Sequence, residues 1–243
     1  MNQLKHMAEF RSVLADYKPS LVARKLLEKT KLVLLLAPSG GGRNTIIDKL
    51  IETGNYHYVV SDTTRDKRVN NGVLEQNGRE YWFRSEAEIL NDLKQGKFLE
   101  AQIIHNQQVS GISMRELEKA GSLHKIAINE VDTLGISNVA PTKPDTIGVI
   151  ILPPSFQEWL RRIEARGAMD VTERQRRFET AAEIFEMAKD GTYPIIINDK
   201  LDVVVNKLDQ LARLGELEQD QQQVRQLAAN LYRETKAYLS GRA

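Results

Sequence analysis

Three stretches of this chain carry residue types suited to holding phosphate. The first is Ala37-Pro38-Ser39-Gly40-Gly41-Gly42-Arg43-Asn44-Thr45. A loop of the form G-x-x-x-x-G-K-[ST] cradles phosphates with backbone N–H groups, reaches the outer phosphates with its lysine and touches magnesium with its hydroxyl. Here Ala37 stands at the first glycine and Gly42 keeps the second, while Arg43 replaces the lysine and Asn44 the hydroxyl residue, with Thr45 one position late. Arg43 keeps the charge, but its planar fork is bulkier than an ammonium, so the same reach does not follow. On this pattern anion binding survives better than catalysis, and a plain strand-to-helix turn is the other reading of the three glycines.

The second stretch is Ser61-Asp62-Thr63-Thr64-Arg65-Asp66-Lys67-Arg68, where two arginines three apart could hold one phosphate dianion between their forks. The third holds Arg162, Arg166, Arg176 and Arg177; on an isolated helix these would read as a solvated face paired with Glu158, Glu164, Glu173 and Glu179. His57, His105 and His124 show no metal-ligand spacing with each other or with carboxylates. The chain has no cysteine, which excludes disulfides, thiolate metal sites and cysteine nucleophiles.

These groups need elements to position them. Lys31 to Leu36 is a continuous apolar run of the kind buried on both faces of a parallel sheet, and Ile46, Ile47, Leu50 and Ile51 give the segment after the glycines one apolar helical face. Strand, glycine loop, helix is the phosphate-binding order. Tyr56 to Phe83 reads as short strands, with turn signals at Asn70-Asn71-Gly72 and Asn77-Gly78. Helices are expected near 86–93 and 114–120, strands at 98–100, 125–129, 147–152 and 194–197, and two charged helices over 155–190 joined at Gly167. Two short amphipathic helices precede the first strand, and two more follow Asn198-Asp199.

Composition bounds the rest. With 243 residues, 41% of them hydrophobic, the chain can bury one domain's core and carry extensions. Its 34 basic and 33 acidic residues leave a formal charge of +1, so no global field points to nucleic acid or an anionic membrane. Lys5, His6 and Glu9 interrupt the start, and no segment reaches the ~20 apolar residues of a membrane span. The expectation is a soluble cytoplasmic protein without nucleic-acid or membrane partners.

Taken in order, these residues resemble guanylate kinases. That family's pattern after the phosphate loop is S-x-T-T-R-x-x-R, a tyrosine in an aromatic strand, then F-L-E. Here these are Ser61 to Arg68, Glu80-Tyr81-Trp82-Phe83 and Phe98-Leu99-Glu100. The resemblance runs from about Lys31 to Arg213 and includes Ile151-Leu152-Pro153-Pro154-Ser155, Arg162 with Arg166-Gly167, Arg176-Arg177 and Ile195-Ile196-Ile197-Asn198-Asp199. It implies an α/β fold of the P-loop nucleoside monophosphate kinase type, a parallel core sheet flanked by helices. Within a domain over 31–213, a small β-rich monophosphate-binding insert would occupy about 56–120 and a helical lid about 160–180. Residues 1–30 and 214–243 would be N- and C-terminal helical extensions, candidates for pairing two copies of the chain.

The resemblance also implies roles. Ser39, Gly40, Gly41, Gly42, Arg43, Asn44, Thr45 and Arg162 would bind the ATP phosphates, with Arg43, Arg166 and Arg177 catalytic, neutralising charge on the transferred phosphoryl group. Arg65, Arg68 and Tyr81 would hold the GMP phosphate, and Ser61 and Glu100 would read the guanine edge. A carboxylate accepts from the N1–H and amino group of guanine, a donor pair that adenine lacks. Glu130 stands at the family's acidic position after a core strand, where it would contact the base or order magnesium-bound water. Mg²⁺ would accompany ATP, with no side chain assigned as its direct ligand.

The implied reaction moves the ATP γ-phosphate to GMP. Two departures open alternatives. Arg43 and Asn44 suit a binding module that uses the monophosphate site for phosphorylated partner segments, although Arg166 and Arg177 have no use in one. The family's Tyr-Tyr-Gly-Thr or Ser is replaced by Val109-Ser110-Gly111-Ile112, with one residue more before Gly111. Ile112 cannot donate to the guanine carbonyl, which suits a kinase for a different monophosphate.

Overall fold

The computed structural model describes residues 4–70, 72–165, 167 and 169–241. Helices α1 (Met7–Ala15) and α2 (Leu21–Leu27) lead into β1 (Leu32–Leu36), the glycine loop and α3 (Arg43–Glu52). Five short strands follow: β2 (Tyr56–Tyr58), β3 (Asp62–Thr63), β4 (Val69–Asn70), β5 (Val73–Leu74) and β6 (Trp82–Phe83). Then come α4 (Glu86–Lys94), β7 (Phe98–Ile104), β8 (Gln108–Ser113), α5 (Met114–Ser122), β9 (Ile126–Glu130) and α6 (Thr133–Val139). The chain closes with β10 (Ile147–Leu152), α7 (Phe156–Glu164), α8 (Val171–Asp190), β11 (Ile195–Ile197), α9 (Leu201–Leu214) and α10 (Gln221–Leu239). Parallel strands flanked by helices are what the apolar runs predicted.

The chain packs as two compact units. One comprises Val33–Gly54, Glu130–Ile136 and the chain from Ile147 onward. In it β10 pairs parallel with β1 on one side and with β11 on the other. Every residue of β1 is buried, as are all of β10 beyond Ile147, which explains their unbroken apolar sequence. Helix α10 lies along α8, burying Val224, Ala228 and Leu231, and its Tyr238 ring stacks on Phe178 at 4.6 Å. Phe178 in turn packs on the fully buried Trp159 of α7, 4.8 Å between centroids. The apolar side of the last helix is therefore spent within its own chain.

The other unit comprises the N-terminal residues to Leu32, Asn55–Asn129 and Ser137–Thr146. Here β2 pairs parallel with β9, and a separate four-stranded sheet has the order β6-β3-β8-β7. Helix α1 covers α4 and β7 through a cluster containing Leu4, Phe10, Ile89, Leu90, Leu93, Phe98 and Val109. Each such side chain stabilises the packing by about 1.5–3 kcal/mol. Helix α2 is capped by Ser20, and its last turn is fixed by Lys143, a buried lysine whose Nζ donates to Leu27 O at 2.6 Å and pairs with Asp145 at 2.9 Å.

Two elements exceed the sequence expectation. Strand 98–100 is the start of a long antiparallel hairpin, β7 with β8, because His105 (φ 51) and Asn106 (φ 56) adopt the left-handed conformation and close a two-residue turn between Ile104 and Gln107. That turn matches the twist of the strands, but histidine with asparagine is a weaker signal for it than Asn-Gly. Helix α6 was not expected at all.

Candidate functional site

In the first unit the phosphate-type loop joins the end of β1 to α3. Gly42 is the N-cap of α3 at φ 91, and a Cβ there would lie 2.2 Å from Asn198 Nδ2, so only glycine fits. Asn198 is close because its Nδ2 donates to Gly41 O at 2.8 Å. Trp159 Nε1 donates to Ser39 O at 2.7 Å, and Gly41 N donates to Pro38 O at 2.8 Å. The loop carbonyls of Pro38, Ser39 and Gly41 thus have fixed partners, which sets those peptide planes before any ligand arrives. Asn44 and Thr45 are exposed at the first turn of α3.

The cations around this loop are held by acids. Arg43 Nε lies 2.9 Å from Glu130 Oε2, and Arg43 Nη1 donates to Val131 O at 3.4 Å. Arg162 donates from Nε to Glu158 at 2.8 Å and from Nη2 to Asn198 O at 3.0 Å, so it reaches the loop through Asn198. Hydrogen bonds from Arg161 and then Arg162 hold the Glu158 carboxyl down at about 2, so the pairing persists at any working pH. Arg177 Nη1 donates to Ser39 Oγ at 3.2 Å while its Nε donates to Glu173 at 2.7 Å, and that bond leads the causes lowering the Glu173 pKa. Arg166 lies outside the described residues.

The remaining candidates, Ser61, Arg65, Arg68, Tyr81 and Glu100, belong to the second unit. Ser61 Oγ accepts from Asn129 Nδ2 at 3.1 Å. Arg65 is nearly buried and bidentate to Glu75, Nη1 to Oε2 at 2.5 Å and Nη2 to Oε1 at 2.8 Å, and its guanidinium sits 4.8 Å from the Tyr81 ring centroid. The same Glu75 carboxylate accepts from the backbone N–H of Arg68 at 2.8 Å. Glu75 therefore presents two carboxylate oxygens to donors suited to a phosphate, which places it among the candidate site residues. The sequence reading did not single it out. The signal was the Asn70-Asn71-Gly72 turn, whose hairpin pairs Val69 with Leu74 and so returns residue 75 beside residue 68.

Glu100 is buried on β7 directly opposite Ile112, and Gln102 opposite Ser110, so these four share one face. Ser110 Oγ lies 2.8 Å from Thr63 Oγ1. Gly111 permits the pairing, since a Cβ there would fall 2.4 Å from Glu100 O. Behind the sheet, Asp62 is fully buried between Arg115 at 2.9 Å and Arg84 at 3.3 Å, with burial raising its pKa against the pull of those cations. Glu116 accepts from Trp82 Nε1 at 3.0 Å and meets His57 Nε2 at 2.8 Å. Glu130 belongs to the unit that carries the loop, where it meets Arg43.

Among the described residues, no group of three or more His, Cys, Asp or Glu side chains could hold a metal ion, and no helix is long and apolar enough to cross a membrane. Side-chain oxygens at the loop are those of Ser39, Asn44 and Thr45, and the Glu130 carboxylate is held against Arg43. Such a set fits a magnesium carried in on nucleotide phosphates with water completing its shell.

The family profile described as Guanylate kinase matches residues 29–213. A guanylate kinase of Corynebacterium efficiens is 32% identical over 181 residues, 73% of this chain and 92% of that protein. One from Dechloromonas aromatica is 33% identical over 201 residues, covering 81% of this chain and 95% of its own length. The crystal structure of guanylate kinase from Anaplasma phagocytophilum superposes with a TM-score of 0.55 at 25% identity, over 78% of this chain and 87% of that one.

Proposed function

The chain belongs to the guanylate kinase family, and on that premise we propose that it transfers the γ-phosphate of ATP to GMP, giving ADP and GDP. The observation that carries this reading is Arg177 bonded to Ser39 of the phosphate loop, an ATP-side arginine kept in place where a module that only bound phosphorylated segments would have no use for it. The GMP phosphate oxygen attacks the γ-phosphorus in line as the bond to the β-phosphate oxygen breaks. Arg177 and Arg43 offset the charge that builds on the transferred group, and the loop with Arg162 orients the nucleotide. Arg166 would join them, by the resemblance. Magnesium brought in with ATP would supply charge neutralisation at the phosphates, with Asn44 and Glu130 placed to hold its water shell. Arg43 would exchange its bond to Glu130 for a phosphate oxygen, one charge-assisted contact for another.

Arg65, Arg68 and Tyr81 hold the monophosphate, and Glu100 with Ser61 reads guanine. Glu100→Gln is expected to erase the preference for GMP over AMP, a loss of about 100-fold in the kcat/KM ratio, because an amide cannot accept from both guanine donors. A variant still strongly selective for GMP would contradict the assignment.

The test of the whole reading is ADP formation with ATP, Mg²⁺ and each of GMP, dGMP, AMP, UMP and CMP. Turnover dependent on GMP supports the guanylate kinase. Turnover spread over several acceptors favours the broader monophosphate kinase that Ile112 suggests. No turnover from folded protein favours the phosphate-binding module, for which the Arg43 bond to Glu130 is the supporting observation.

A further inference from the structure

The helices preceding the family-matched region reach the strand that carries Glu100. β7 is the outer strand of its sheet, and its pairing with β8 is irregular between Phe98 and Glu100. An outer strand leaves backbone groups without a ladder partner. At Phe98, which is fully buried, one hydroxyl answers both: Tyr17 Oη accepts from Phe98 N at 2.8 Å and donates to Phe98 O at 2.8 Å. Tyr17 stands in the segment between α1 and α2, outside the matched residues 29–213. It is anchored from both sides, by the cluster around Phe10 that packs α1 on β7 and by Ser20 N donating to Gly96 O at 2.9 Å.

Burial pushes the Tyr17 hydroxyl up to about 12, the Phe98 backbone opposes this, and the negative charge of Glu100 adds to the rise. The hydroxyl therefore stays a donor at any working pH, and it lies within electrostatic reach of the Glu100 carboxylate.

We propose that Tyr17 is a positioning residue for Glu100: by clamping Phe98 in both directions it fixes the start of β7 and with it the direction in which the base-reading carboxylate is presented. Part of the discrimination for guanine is then built by the N-terminal helices of this chain. The inference rests on the assignment of Glu100 to the guanine edge.

Tyr17→Phe keeps the ring in its cluster and removes only the hydroxyl. The expected result is a KM for GMP raised about tenfold, the equivalent of one buried hydrogen bond. The KM for ATP and the kcat at saturating GMP stay within about twofold, and the GMP-to-AMP preference falls in parallel. Glu86→Ala serves as the comparison, since it frees the start of α1 by removing the acceptor of Lys5 N and His6 N and lies outside the cluster that holds Phe98. An equal shift in the KM for GMP in that variant, or none in Tyr17→Phe, overturns the proposal while leaving the Glu100 assignment intact. Wild type that shows no preference for GMP removes the assignment itself. If Tyr17→Phe does not fold, amide hydrogen exchange of the wild type decides the matter. GMP, and not ATP, should slow exchange at Phe98 and across α1, because coupling between sites is reciprocal; unchanged exchange there overturns the proposal.

Discussion

Replacing Arg65 with alanine is expected to raise the KM for GMP by at least about 100-fold, the ~3 kcal/mol of a charge-assisted two-point contact, with ATP affinity unchanged. Arg65 is the strongest candidate because its fork is already ordered. Glu75 grips both of its ends, and Tyr81 and Phe83 lie against it, so a phosphate would find the guanidinium in place. The substitution also strands a buried carboxylate, which alone destabilises by about 3–5 kcal/mol. A double variant, Arg65→Ala with Glu75→Gln, removes that cost and separates folding from binding. Titrating both proteins with GMP and with ATP by calorimetry checks the claim. If either binds GMP as the wild type does, Arg65 is not the phosphate ligand.

Arg177→Ala is expected to lower kcat by about 10³-fold or more, the usual effect of losing an arginine that stabilises charge in phosphoryl transfer, while GMP affinity holds. Arg177 reaches its two partners from two different nitrogens, Glu173 from Nε and the Ser39 hydroxyl from Nη1, a separation of donors that a single ammonium lacks. Arg177→Lys should therefore recover little. Single-turnover phosphoryl transfer, measured beside GMP titration, distinguishes the two effects. A kcat within tenfold of the wild type would take Arg177 off the reacting group.

Elements with one dominant signal were legible in the sequence. The unbroken apolar run of β1, the glycines before Ile46 and Ile47, and the Pro153-Pro154 stop after β10 each say one thing about local structure, and the structure follows them. The two left-handed residues at His105 and Asn106 were not legible, since neither type demands that conformation, and so the β7–β8 hairpin and the face shared by Glu100 with Ser110 and Ile112 stayed hidden. Partnerships were harder still. Arg43 with Glu130, Arg65 with Glu75 and Tyr17 with Phe98 span 87, 10 and 81 positions, and only the fold decides which acid or carbonyl a given donor meets. Sequence spacing singled out the candidate cations. What each cation holds in the absence of ligand came from tertiary packing.

The C-terminal segment has a bearing on solubility that is separate from chemistry. β11 ends its row of parallel strands, and an exposed strand margin is a template for pairing with another molecule. Gln219 Nε2 occupies part of that margin by donating to Ile195 O at 2.7 Å, and α10 packs over the same strand. A chain shortened to Leu214 would uncover three consecutive isoleucines with an unanswered carbonyl among them. Such a chain would be expected to precipitate during purification before any loss of turnover could be read.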